Sequence, residues 1–141
     1  MEYRFFIILL LFSPVLGVGS FNKLVKAIKN NKVEAFQSEL EAGVDVNKTT
    51  WGVTPLYIAV HFNRPQMIKP LLEYGADINA LAGSKKRTAL HKAVSKNNEE
   101  IVRILVDNGA DRSIVNKKGK TSLQEAEEHG NEVILEALKP L

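Results

Sequence analysis

The chain contains no cysteine, and that absence alone removes disulfides, thiolate nucleophiles, iron–sulfur clusters and cysteine-ligated zinc. Histidine is scarce as well, with only His61, His91 and His129 left for imidazole chemistry. No serine sits in the glycine-flanked elbow of a hydrolase, no phosphate-binding loop is present, and no His-Glu-x-x-His pattern occurs. The chain is therefore expected not to be an enzyme and to need neither a cofactor nor a metal. It also lacks an apolar run of membrane-spanning length. The longest, from Phe5 to Val18, is about 14 residues and is broken by Pro14, against roughly 20 for a spanning helix.

What is there is ordinary for a chain that folds in water: 141 residues, 45% hydrophobic and 25% charged. The formal net charge of +3 is a mild excess that says little by itself about nucleic acid. The N-terminus has the order of a secretory signal. Met1-Glu2-Tyr3-Arg4 is polar, Phe5 to Phe12 is apolar, and Ser13-Pro14-Val15-Leu16-Gly17-Val18-Gly19-Ser20 supplies a helix breaker and small residues. Residues 1–19 are thus expected to be a signal peptide or N-terminal hydrophobic segment, with cleavage after Gly17, Gly19 or Ser20. Cleavage gives a secreted or periplasmic protein. Retention gives a single-pass, membrane-anchored adaptor.

Beyond Ser20 the chain falls into four rows. Thr54, Thr88 and Thr121 are 34 and 33 residues apart, and each opens a similar stretch: Thr-Pro-Leu-Tyr-Ile-Ala-Val, Thr-Ala-Leu-His-Lys-Ala-Val and Thr-Ser-Leu-Gln-Glu-Ala-Glu. Ala27, Ala59, Ala93 and Ala126 keep the same spacing, as do Asn31, Asn63, Asn97 and Gly130, and Gly43, Gly75 and Gly109 form a further column. A period in this range signals stacked repeats. Each column has a physical reason. A threonine oxygen at a helix start accepts an orphan backbone N–H, and Pro55 at the first helical position sacrifices nothing. Asparagine and glycine between two helices tolerate left-handed backbone, and the glycines of the last column cap the second helices. Those second helices read Val33, Phe36, Leu40, then Met67, Ile68, Leu71, Leu72, then Ile101, Val102, Leu105, at helical spacing. Pro70 lies inside one of them and predicts a kink or a late start.

These residues resemble the ankyrin repeat family, whose consensus carries Gly-x-Thr-Pro-Leu-His-x-Ala at the first helix and Gly-Ala-Asp-x-Asn after the second. The resemblance covers residues 20–141, in repeats of about 20–47, 48–80, 81–113 and 114–141, and is strongest in rows two and three. It implies an all-α, helix-turn-helix solenoid of about four stacked repeats with projecting hairpin loops. His91 stands at the family's Thr-Pro-Leu-His position, where the resemblance implies a structural hydrogen bond. Lys23, Lys26 and Lys29 opposite Leu24, Val25 and Ile28 in row one, and Glu127 where rows two and three carry Val60 and Val94, fit polar caps at the two ends.

In the family, partners are held by hairpin tips and by the exposed ends of first helices. Carried over row by row, this selects Lys29 and Asn30; Thr50, Trp51, Val53, His61 and Phe62; Lys85, Arg87, Ser95 and Lys96; and Lys118, Lys120, Glu128 and His129. Trp51 is either an exposed anchor of the kind that dominates binding energy or a local lid on its own hairpin. Lys85-Lys86-Arg87 and Lys117-Lys118-Gly119-Lys120 occupy equivalent hairpins and should be neighbours in space, with Lys92 and Lys96 extending them. Such a field prefers an acidic protein surface. Nucleic acid is disfavoured because no aromatics are interleaved with the basic residues. A membrane enters only through an uncleaved N-terminal segment, and the chain is expected to act as a monomer.

Overall fold

The computed structural model describes residues 19–140, so the expected signal segment, except for Gly19, lies outside the described residues. Among the described residues there are eight α-helices: α1 (Phe21–Lys29), α2 (Val33–Glu41), α3 (Pro55–His61), α4 (Pro65–Glu73), α5 (Ala89–Ser95), α6 (Glu99–Asp107), α7 (Ser122–His129) and α8 (Glu132–Leu138). None is long and apolar enough to cross a membrane. The helices are distributed over two compact units, Met1–Asp45 and Val46–Leu141.

In the first unit α1 packs on α2. Ser20 caps α1, its hydroxyl accepting the Lys23 N–H, while its own N–H donates to the Glu39 carboxylate at 2.6 Å. The amphipathic pattern of α1 holds, with Leu24, Val25 and Ile28 buried and Lys23, Lys26 and Lys29 exposed. Phe36 and Leu40 are buried from α2, but Val33, expected beside them, is 46% exposed. It occupies the first helical position, at the very end of the apolar stripe, where little of the helix remains to be covered. Gly19 approaches the end of α2 so closely that a Cβ there would lie 2.8 Å from the Val44 nitrogen, which is why only glycine fits.

The second unit holds rows two to four. Each first helix packs on its own second helix, the first helices α3, α5 and α7 pack in succession, and so do α4, α6 and α8. Ala59, Ala93 and Ala126 sit almost fully buried between the first helices, where their small side chains let the rows approach. Thr54, Thr88 and Thr121 cap these helices by accepting the N–H three residues on. Asn63 and Asn97 turn the chain between helices at φ 54° and 52°, and Gly130 does so at 69°. Pro70 does not delay α4. Pro65 fixes its start, and the helix runs through Pro70 to Glu73 with that one backbone bond forgone.

Rows are tied together by side chains that bond to the next row's backbone. The Asn47 carbonyl oxygen accepts the Asp77 N–H at 2.8 Å, and Asn79 accepts the Asp111 N–H at the same distance. His91 Nδ1 meets the Thr88 hydroxyl at 2.8 Å, and its Nε2 meets the Lys120 carbonyl at 3.0 Å, so the expected structural role of this residue is met. Since the carbonyl can only accept, Nε2 carries the proton and Nδ1 accepts from the hydroxyl.

The hairpins are stitched in the same way. Row two turns tightly at Trp51-Gly52 between Thr50 and Val53, which exchange both backbone bonds at 3.0 Å. Row three makes a wider turn between Ala82 and Arg87, and row four closes Asn116 on Lys120. Gly83 N–H donates to the Gly52 carbonyl and Lys117 N–H donates to the Lys85 carbonyl, both at 3.0 Å.

One ion pair fastens the base of the row-three hairpin to α7. Arg87 Nη2 donates to Glu125 Oε1 at 2.8 Å, and the Asn116 amide donates to the same oxygen. Glu125 is only 4% exposed, and its second oxygen has no hydrogen-bond partner among the described residues. Removing the guanidinium would therefore leave a buried carboxylate served by one amide alone. Arg87→Ala is expected to destabilise the second unit by about 2 kcal/mol, and Arg87→Ala/Glu125→Leu to recover part of that loss. Urea unfolding of both variants checks it, and a single-variant loss below about 0.5 kcal/mol, the range of neutral surface substitutions, would show the pair to be incidental.

Candidate functional site

The residues expected to meet a partner come from two kinds of position, hairpin tips and the exposed side of the first helices. Trp51 is 95% exposed, which resolves the alternative of a local lid. The reason is conformational. Trp51 and Gly52 take φ 54° and 70°, a tight turn in the left-handed region, and this points the indole away from its own hairpin. Thr50 and Val53 are half-buried at the foot of the turn.

The two basic hairpins are neighbours, as their Lys117–Lys85 backbone bond requires. Their charges are not all available, however. Arg87, expected to face a partner, is spent on Glu125 inside the chain, because the column that holds Ile58 in row two and Lys92 in row three holds a buried glutamate in row four. Lys120 pairs with Glu128. Lys85, Lys86, Lys117 and Lys118 remain exposed, and none has an ion-pair partner among the described residues.

Along the first helices, row two is aromatic and row three cationic. His61 meets Phe62 edge-on with ring centroids 4.9 Å apart, and Phe62 is 37% exposed. Lys92 holds its ammonium 5.8 Å from the centroid of the Tyr57 ring, within cation–π reach. Burial, then the charges of Lys96, Arg87 and Lys85, push the Lys92 ammonium below the ordinary lysine range. Burial, then Lys92 and Lys96, lower His61 in turn. Tyr57 is raised, chiefly by burial, with Arg87 lowering it and Glu125 raising it, and so remains a neutral hydroxyl at physiological pH.

Lys96 is exposed. Ser95 is half-buried, and its hydroxyl donates to the Lys92 carbonyl at 2.9 Å, which makes it part of the helix end. In row four, Glu128 and His129 are exposed, and Glu128 pairs with Lys120, leaving Lys117 and Lys118 as the unpaired cations of that hairpin among the described residues. Lys29 and Asn30, in the first unit, are exposed at the end of α1. Sequence reasoning missed Tyr57. The signal was available, since tyrosine stands there in the column that holds His91 in row three.

His61 offers a direct check on this field. Desolvation and the two lysines disfavour its imidazolium, so its pKa should lie below 6.5. It should rise toward that value when either lysine loses its charge. Proton NMR titration of the wild-type chain and of Lys96→Gln measures both; an identical His61 titration in the two would remove the lysine from its surroundings.

The sequence matches the family description "Ankyrin repeats (3 copies)" over residues 19–82 and 81–140. Among similar proteins, BRCA1-associated RING domain protein 1 of Caenorhabditis elegans is 45% identical over 98 residues, covering 70% of this chain and 14% of the relative. A putative ankyrin repeat protein of fowlpox virus is 38% identical over 106 residues, covering 73% of this chain and 31% of the relative. Ankyrin repeat and SOCS box protein 11 of Homo sapiens is 32% identical over 99 residues, covering 70% of this chain and 30% of the relative. The match thus spans less than a third of each of these proteins. With the helix pairs, the stitched hairpins and the Thr, Asn and Gly columns in place, the chain belongs to the ankyrin repeat family.

Proposed function

We propose that this chain is an exported, non-enzymatic protein-binding module that recognises an acidic partner protein through its hairpin tips and the concave side of its first helices. The observation that carries this reading is Trp51, 95% exposed at the tip of a hairpin bonded to the row-three hairpin with Lys85 and Lys86, which in turn is bonded to the row-four hairpin with Lys117 and Lys118. A fully exposed indole is unfavourable in water and gains nothing inside the fold, whereas at an interface it supplies a large, rigid anchor. The lysines supply attraction at a distance and so act on the rate of encounter. Export rests on the charged, apolar and small-residue order of residues 1–20. One relative is named for its association with another protein, which accords with a binding role, but that name belongs to a much longer chain. The binding unit is taken to be the monomer.

A photo-crosslinking side chain at position 53, beside the tip, would capture the partner in the compartment that receives the protein, and titration would then test the surface. Trp51→Ala is expected to weaken binding by more than about 1 kcal/mol, and unchanged affinity would remove the tip from the interface. Reversal of Lys85, Lys86 and Lys118 to glutamate is expected to slow association at least about tenfold at low salt, with little effect at high salt. An association rate indifferent to both charge and salt would exclude an acidic partner.

A further inference from the structure

The basic hairpins account for attraction, but they do not account for the like charges held together behind them. Lys92 in α5 and Lys96 at its C-cap lie one turn apart, and both are close enough to His61 of α3 to act on it electrostatically. On α3, Tyr57 and His61 are likewise one turn apart. The Lys92 ammonium is drawn over the Tyr57 ring, and Lys85 and Arg87 are close enough to act on it electrostatically. Arg87 is neutralised by Glu125, but Lys85, Lys92 and Lys96 have no ion-pair partner among the described residues. In row four, built on the same plan, Lys120 is answered by Glu128. Row three gathers three positive charges and leaves their repulsion unanswered.

We propose that the face shared by α3 and α5, formed by Tyr57, His61, Lys92 and Lys96 with Lys85 at its rim, binds a phosphate monoester carried on the partner, so that the recognised protein segment is phosphorylated. This deepens the protein-binding reading above and rests on it.

The charge balance selects the ligand. A single carboxylate would satisfy one of three lysines. A phosphoryl monoester brings nearly two negative charges and three strong acceptor oxygens, enough to engage Lys92 and Lys96 together, and the neutral Tyr57 hydroxyl and the His61 ring add donors of hydrogen bonds. Phosphodiesters, whether of nucleic acid or of most lipids, carry one charge per phosphate and match the cluster less well. Lys92 is half-buried over the Tyr57 ring, and so less open to a flat bilayer than a fully exposed lysine.

The test uses the full chain labelled with nitrogen-15 and four probes: inorganic phosphate, and a short Gly/Ala peptide carrying one phosphoserine, aspartate or serine. Amide shifts in residues 57–62 and 92–97 should saturate with phosphate and with the phosphoserine peptide. The latter should bind at least about fivefold more tightly than the aspartate peptide, as one further charge near a protein surface supplies. Lys92→Gln and Lys96→Gln should each abolish that preference without lowering the thermal midpoint, and Lys118→Gln should keep it.

Equal affinity for the aspartate and phosphoserine peptides would overturn the proposal and leave the acidic-partner reading standing. Shifts centred on Lys117 and Lys118 would overturn the location. Binding seen only with vesicles of phosphatidylserine in phosphatidylcholine would replace the peptide by a membrane. For a captured partner, phosphatase treatment separates the two readings. Loss of binding at row three supports the phosphoryl site, and full retention, with Trp51→Ala still weakening the complex, refutes it alone.

Discussion

The interaction on which the rest of the second unit depends is the bond from a side chain in one row to the backbone of the next. Helices of seven to nine residues, as here, are too short to stand alone in water. They persist because each row buries an apolar side against its neighbour, and that burial is productive only in one register. Asn47 on Asp77, Asn79 on Asp111 and His91 on the Lys120 carbonyl fix that register with directional bonds. The hairpin bonds Gly83 to Gly52 and Lys117 to Lys85 repeat the constraint at the other end of each row. Hydrophobic burial holds the rows together, and the polar bonds decide where they stop sliding.

This division explains what could be read from the chain. Caps, turns and small contacts are local demands, and each has a residue type that meets it, so Thr88, Asn97, Gly109 and Ala93 announce themselves by recurrence. The placement of Phe36 and Leu40 follows from helical spacing, while Val33, at the end of the same stripe, does not, because spacing says which side a residue faces and not where the helix runs out. The Arg87–Glu125 pair could not be read at all. Its members are 38 residues apart, and the columns they occupy hold Val53 and Lys120, and Ile58 and Lys92, in the other rows. A departure from the repeat that is answered by another departure leaves no trace in periodicity.

That pair also changes how the surface is divided. An arginine read as partner-facing is fastening, and a lysine and a tyrosine one row apart become the centre of the field. The exposed side of the first helices is banded, with aromatic rings in row two, unpaired cations in row three and, in row four, a Glu128 that pairs with Lys120. On the binding reading proposed above, a segment laid across these rows would meet different chemistries in a fixed order.

The turn at Trp51 and Gly52 has a consequence for anyone who would improve this protein. Left-handed backbone at the first turn position suits asparagine or aspartate, and tryptophan there is both conformationally strained and solvent-exposed. A redesign guided by thermostability or by repeat consensus would replace it at once, and would raise the melting temperature by doing so. The sturdier molecule would have lost the side chain by which, on the present reading, it knows its partner.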